Sequence, residues 1–148
     1  MARGEGYLLD NRQSEAGTRF DALAALFDAS TFRHFEAVGI DEGWRCWEVG
    51  AGGSSVAAWL HARVGPGGRV LATDIDVSWA ETAAIAEVEV LRHDVARDEP
   101  PAGPFDLVHA RLVLVHVAER DTALRTMVRA LRPGGGCWSR TPTRRCNH

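Results

Sequence analysis

Apolar positions change their period along the chain. In the first forty residues Phe20, Leu23, Ala24, Leu26 and Phe27 fall at spacings of three and four, which predicts a helix opened near Ser14. Asp28 to Ser30 interrupts the stripe, and Thr31 to Val38 predicts a second short helix ending at Gly39. From Trp44 the pattern becomes short apolar runs between turns. Arg45 to Val49, Arg69 to Thr73, Glu87 to Leu91 and Phe105 to Ala110 predict strands. Val56 to Val64, Ser78 to Ala86 and Glu119 to Leu131 predict helices between or after them, the last stopped by Pro133-Gly134-Gly135-Gly136. Strands alternating with helices at these lengths predict βαβ units and a parallel sheet, an α/β Rossmann-like fold behind an N-terminal helical cap. The expected divisions are 1–43 for the cap, 44–136 for the sheet domain and 137–148 for a tail.

The first strand runs straight into Gly50-Ala51-Gly52-Gly53. Glycines between a strand and a helix let the backbone approach a ligand, and the helix start offers unpaired N–H groups. A tight turn without a ligand has the same glycines, so three acids decide the reading. Glu48 ends the first strand and suits a ligand carrying a cationic amine. Asp74 ends the second strand, where a carboxylate can accept both hydroxyls of a ribose. Asp94 follows the third strand, where a side chain reaches the edge of a base. Each acid also reads as a solvated loop carboxylate or a helix cap, as Asp76 does. Taken together they point into one crevice, because the carboxyl ends of neighbouring parallel strands share it.

Glu48-Val49-Gly50-Ala51-Gly52-Gly53-Ser54 resembles the first motif of class I S-adenosylmethionine-dependent methyltransferases, an acid followed by Gly-x-Gly. Serine stands at 54 where the family often has glycine. The resemblance continues through Ala72 to Asp76, Arg92 to Val95, Phe105 to Arg111 and Leu131 to Gly135, in the family's order. It implies S-adenosylmethionine as cofactor. Gly50, Ala51 and Gly52 would contact its methionine part, and Glu48 its amino end. Asp74 would hold the ribose hydroxyls, Ile75 would pack on the adenine ring, Asp94 would bind the adenine amino group and Val95 would offer backbone. Ala110 and Arg111 would line the methyl-donor side, and the cap would shape the acceptor pocket. The acceptor implied is a small molecule, and no catalytic residue is assigned. A nicotinamide dinucleotide domain is the competing fold-level reading. It wants glycine or alanine where Ser55 stands, and its pyrophosphate would be repelled by Glu48.

Other chemistry is weakly supported. The six histidines lack paired-ligand spacing, so no metal is expected. His109 and His116 flank an apolar stretch and read as packed or hydrogen-bonded residues. They are also the bases nearest the sheet edge. Ser54-Ser55 lacks the G-x-S-x-G pattern of a nucleophile elbow.

The formal net charge of -3 leaves no basic field for nucleic acid or an anionic membrane. No apolar run is long enough to span a bilayer, and no secretory h-region opens the chain. Cys46, Cys137 and Cys146 show neither disulfide nor zinc spacing, so a cytoplasmic setting is expected.

All seventeen basic residues are arginine, a mark of GC-rich coding. Cys137 to His148 is polar, basic and without strand period. Back-translating it with GC-rich codons and skipping two bases yields an apolar pair running into acids, which resembles the family's fifth strand. The expectation is a changed reading frame and a sheet incomplete at its C-terminal strands. The fourth strand would keep an exposed edge and the enzyme would have impaired activity. The alternative is a non-catalytic cofactor-binding remnant or partner subunit whose missing strands come from another chain.

Overall fold

The computed structural model describes residues 3–51, 53–78 and 87–140. Five strands form one parallel sheet: β1 (Arg45–Val49), β2 (Arg69–Asp74), β3 (Glu89–Arg92), β4 (Phe105–Arg111) and β5 (Leu131–Arg140). Their order across the sheet is β3-β2-β1-β4-β5. The central strand reads Cys46-Trp47-Glu48-Val49 with every residue buried, the signature of a strand covered on both faces. Helices α1 (Arg3–Val38) and α2 (Ser55–Val64) belong to one face, and α3 (Arg120–Arg129) to the other.

Alternation along the strands sorts the core. Cys46, Val70, Ala72 and Leu107 pack with Phe35, Val56, Leu60 and Val64 of α1 and α2. Trp47, Val49, Leu71, Val108 and Ala110 pack with Ala123 and Met127 of α3 and with Leu114 of the single-turn 3₁₀ helix Leu114–His116.

Two expectations are corrected. The cap is one continuous helix, without a break at Asp28 to Ser30. Aspartate unsettles helices when its carboxylate competes for local backbone N–H groups. Here the Asp28 carboxylate accepts from Ser55 and Arg111, 27 and 83 residues away, so that competition is removed. Gly39, at φ 82°, ends the helix as expected, its N–H donating to the Phe35 carbonyl.

The second correction concerns the tail and the edge of β4. α3 stops at Arg129, and β5 then runs from Leu131 through Pro133-Gly134-Gly135-Gly136 to Arg140. Phe105 pairs with Leu131 and Leu107 with Gly136, so the proline and glycines form an irregularity that leaves the ladder and rejoins it. Cys137 to Arg140 then pair in register with Val108 to Arg111. These residues lack alternation, but backbone pairing needs none. Trp138 also packs against the α1-face core and Ser139 is buried. Thr141 to His148 lie outside the described residues.

The helix expected over Ser78 to Ala86 also lies outside them beyond Ser78. Asp76 Oδ1 accepts from the Ser78 N–H at 3.0 Å and from the Ser78 hydroxyl at 2.7 Å. Those bonds hold the Asp76 carboxyl below its ordinary value. No helix among the described residues is long and apolar enough to cross a membrane.

Candidate active site

The loop after β1 turns on Gly50, at φ 64°. A Cβ there would sit 2.3 Å from Val113 Cγ2, so both the backbone conformation and the space require glycine. The Ala51 N–H donates to the Thr73 carbonyl at 3.0 Å, tying the loop to the end of β2. Gly53 lies under α1, where an added Cβ would meet Phe20 at 3.1 Å. The pocket so formed has an empty volume of about 440 Å³, its open mouth included. Glu48, Gly50, Ala51, Gly53, Ser55, Arg111 and Leu112 line it from the sheet side, and Phe20 and Leu23 line it from α1. Leu112 adopts φ 60°, a left-handed conformation costly for leucine.

Glu48 and His109 are cross-strand neighbours on β1 and β4. His109 Nδ1 lies 2.5 Å from Glu48 Oε2, and the two side chains are 0% and 3% exposed. With Glu48 ionised, Nδ1 carries the hydrogen. Glu48 makes no other hydrogen bond among the described residues, which leaves Oε1 for the pocket. Trp138 of β5 continues the row: it pairs with His109 in register and stacks on it with ring centroids 4.9 Å apart. The Phe35 ring meets the same imidazole nearly perpendicular, at 4.8 Å.

Arg111 is the next residue of β4 on this face. Its Nη1 donates to Asp28 Oδ1 at 2.8 Å and to Thr31 Oγ1 at 3.2 Å, both on α1. The Ser55 hydroxyl donates to the same Asp28 oxygen at 3.3 Å.

Of the residues singled out from sequence, Glu48, Gly50, Ala51 and Arg111 meet at this pocket, and Gly52 lies outside the described residues. Asp74, Ile75, Asp94 and Val95 share the carboxyl edge of the sheet but not the pocket wall. Asp74 Oδ1 accepts from the Ile75 N–H at 2.7 Å, and Ile75 is 65% exposed. The His93 N–H donates to the Asp74 carbonyl, joining the ends of β2 and β3. Asp94 Oδ1 accepts from the Ala96 N–H at 2.9 Å, within its own turn, and the Val95 side chain is buried in the core.

The Ala110 side chain is not part of the pocket wall. It is fully buried on the α3 face, because alternation turns it away from Arg111. Sequence reasoning missed Asp28, His109 as partner of Glu48, and Leu112. A histidine two residues before Arg111 on one strand was the available signal for the second. Among the described residues no cluster of histidine, cysteine and carboxylate side chains has the arrangement of a metal site.

Residues 47–139, from β1 to β5, match the family described as a methyltransferase domain. The ubiquinone/menaquinone biosynthesis C-methyltransferases UbiE of Pseudomonas putida and Pseudomonas entomophila are 30% identical over 108 residues, 68% of this chain and 42% of each relative. The chain thus spans well under half the length of these curated relatives. Among solved structures, a SAM-dependent methyltransferase from Aquifex aeolicus superposes with TM-score 0.68 at 22% identity, covering 82% of this chain and 68% of that one. A TehB-like methyltransferase from Corynebacterium glutamicum gives 0.70 at 22% identity, covering 88% and 72%. These two likenesses carry the fold, and the family match carries the kinship. With its motif order running from the glycine loop of β1 to the proline-glycine turn of β5, the chain belongs to the class I S-adenosylmethionine-dependent methyltransferase family.

Proposed function

We propose that the pocket between α1 and the glycine loop binds the α-amino-acid end of S-adenosylmethionine, and that the protein transfers the cofactor's methyl group to a small-molecule acceptor. The observation that carries this reading is the Glu48 carboxylate. It stands on the pocket wall beside a loop where Val113 leaves no room for a Cβ.

The donor set suits the group. A carboxylate braced through one oxygen offers the other to an ammonium, and Arg111 supplies a cation for a carboxylate. Asp74 and Asp94, at the ends of neighbouring strands, are the acceptors for ribose and base. A dinucleotide pyrophosphate would instead place its charge against Glu48. When bound, S-adenosylmethionine supplies an electrophilic methyl group on a sulfonium. The chain's part is to hold it and exclude water, since positioning supplies much of the rate of such a transfer. Phe20, Leu23 and Leu112 give the pocket an apolar side for the acceptor. The UbiE relatives are named for C-methylation in quinone biosynthesis, which makes an apolar ring-bearing acceptor the first to assay.

A cytoplasmic setting is part of the reading, supported by Cys46 being a buried free thiol.

Isothermal calorimetry with S-adenosylhomocysteine and with NAD tests the binding. The expected result is one saturable site for the first and no heat for the second, with Glu48→Gln weakening the first at least tenfold, about 1.4 kcal/mol. Saturable binding of NAD alone would overturn the proposal. Binding without methyl transfer to any acceptor would make the chain a cofactor-binding subunit.

A further inference from the structure

Arg111 is 12% exposed and Asp28 19%, so their ion pair is largely removed from water. It joins α1 to the end of β4. Asp28 Oδ1 gathers the Arg111 guanidinium and the Ser55 hydroxyl, one from the end of β4 and one from the start of α2. Both donors also line the pocket that holds Glu48. The pocket therefore presents an anion and a cation at one site, and the cation already faces a carboxylate that belongs to the chain.

We propose that Arg111 and Ser55 form the carboxylate subsite for an α-amino-acid ligand, and that Asp28 occupies this subsite as the ligand's stand-in and latches α1 over the pocket. This rests on the reading above, that the pocket takes the amino-acid end of its ligand.

An α-amino acid carries an ammonium and a carboxylate on one carbon. Glu48 matches the first and Arg111 the second. The ligand carboxylate and the Asp28 carboxylate repel each other if both face one guanidinium. Exchange of one for the other keeps Arg111 paired, so the largely buried cation is never left uncompensated. Asp28 retains some exposure and can turn to solvent when displaced. Phe20 and Leu23 lie on the same helix as Asp28, so release of the latch loosens the helix that closes the pocket. Entry of the amino-acid end and opening of α1 are then one coupled event.

The test compares wild type with Asp28→Asn, which removes the charge and keeps the shape. The probes are S-adenosylhomocysteine and 5′-methylthioadenosine, which shares the nucleoside and lacks the amino-acid end. Asp28→Asn is expected to tighten the first about tenfold, an ordinary size for coupling between two sites, and to leave the second unchanged. Arg111→Gln is expected to reduce the preference for the first over the second, leaving the part that Glu48 supplies through the ammonium. Unchanged or weaker binding of S-adenosylhomocysteine by Asp28→Asn, or an equal change for both probes, overturns the proposal while leaving the cofactor reading standing. Failure of wild type and variant alike to bind S-adenosylhomocysteine overturns the cofactor reading and the subsite with it. The latch has its own readout in the ligand-free protein. Hydrogen exchange over residues 20–35 is expected to quicken in Asp28→Asn with α3 unchanged, and unchanged exchange in α1 overturns the latch.

Discussion

On the α3 face of the sheet, Trp47, Val49, Leu71, Val108 and Ala110 meet Leu114, Ala123 and Met127 in an apolar layer. On the α1 face the same strands carry Glu48, His109 and Arg111 among Cys46, Val70, Ala72 and Leu107. The division falls between successive residues of one strand: Trp47 and Val49 look one way, Cys46 and Glu48 the other. A one-residue slip of β1 would bring the indole to the pocket and the carboxylate to the apolar layer. The apolar layer thus fixes the register on which the polar row depends. The buried carboxylate of Glu48 and its His109 partner stand on the side where a ligand can use them, while the α3 face buries only hydroxyls and the His93 imidazole among its apolar residues.

The comparison can be broken from the apolar side first. Trp47→Ala removes a fully buried indole and the partner of the Thr73 hydroxyl, which accepts from it at 2.8 Å. The expected loss is about 3–5 kcal/mol by urea denaturation, and a loss under about 1 kcal/mol would deny the layer its role. From the polar side, His109→Leu leaves Glu48 without its partner. The expected cost is about 2–3 kcal/mol, less than the cost in a closed interior because the other oxygen faces an open pocket. The double variant Glu48→Leu/His109→Leu is expected to recover most of that stability and to lose S-adenosylhomocysteine binding. A double variant as unstable as His109→Leu would mean that the pair holds the sheet rather than serving the site.

Gly50→Ala sharpens the boundary between the faces. A left-handed alanine costs about 1–2 kcal/mol, and Val113 must move as well. Ligand affinity is expected to fall by more than stability does, as read by calorimetry beside thermal unfolding. The smallest effect lies on the rim. The Arg69 guanidinium bonds Glu89 through both oxygens, at 3.0 and 2.9 Å, and holds its carboxyl below the ordinary value. A carboxyl lowered in the folded state stabilises above its unfolded pKa, and that contribution is lost as pH falls through the folded value. Because the pair is exposed, it amounts to a few tenths of a kcal/mol. Glu89→Gln is expected to lower stability by that amount at pH 7, and urea denaturation at falling pH is expected to show the difference closing as Glu89 of the wild type is protonated.

Much of this arrangement was legible in the chain because it is local. Arg45–Val49 is a strand with the predicted bounds, and Glu48, Gly50 and Arg111 reach the pocket because strand ends and glycine turns are set by neighbouring residues. What escaped is made by distance. Asp28 looks like a helix breaker until its carboxylate meets a partner 83 residues away. Ala110 and Arg111 look alike as strand-end residues until register assigns them opposite faces. Pro133 to Gly136 looks like a stop until β4 offers a ladder that can skip four residues and resume.

The placement of β1 at the centre of the sheet gives these distances a meaning in time. Glu48 and His109 are 61 residues apart, so at about 5–20 residues per second the ribosome adds the imidazole roughly 3–12 seconds after the carboxylate. Trp138 follows later still. The nascent chain can pair β1 with β2 while its central acid is still open to water. The desolvated state of Glu48 belongs only to the finished sheet.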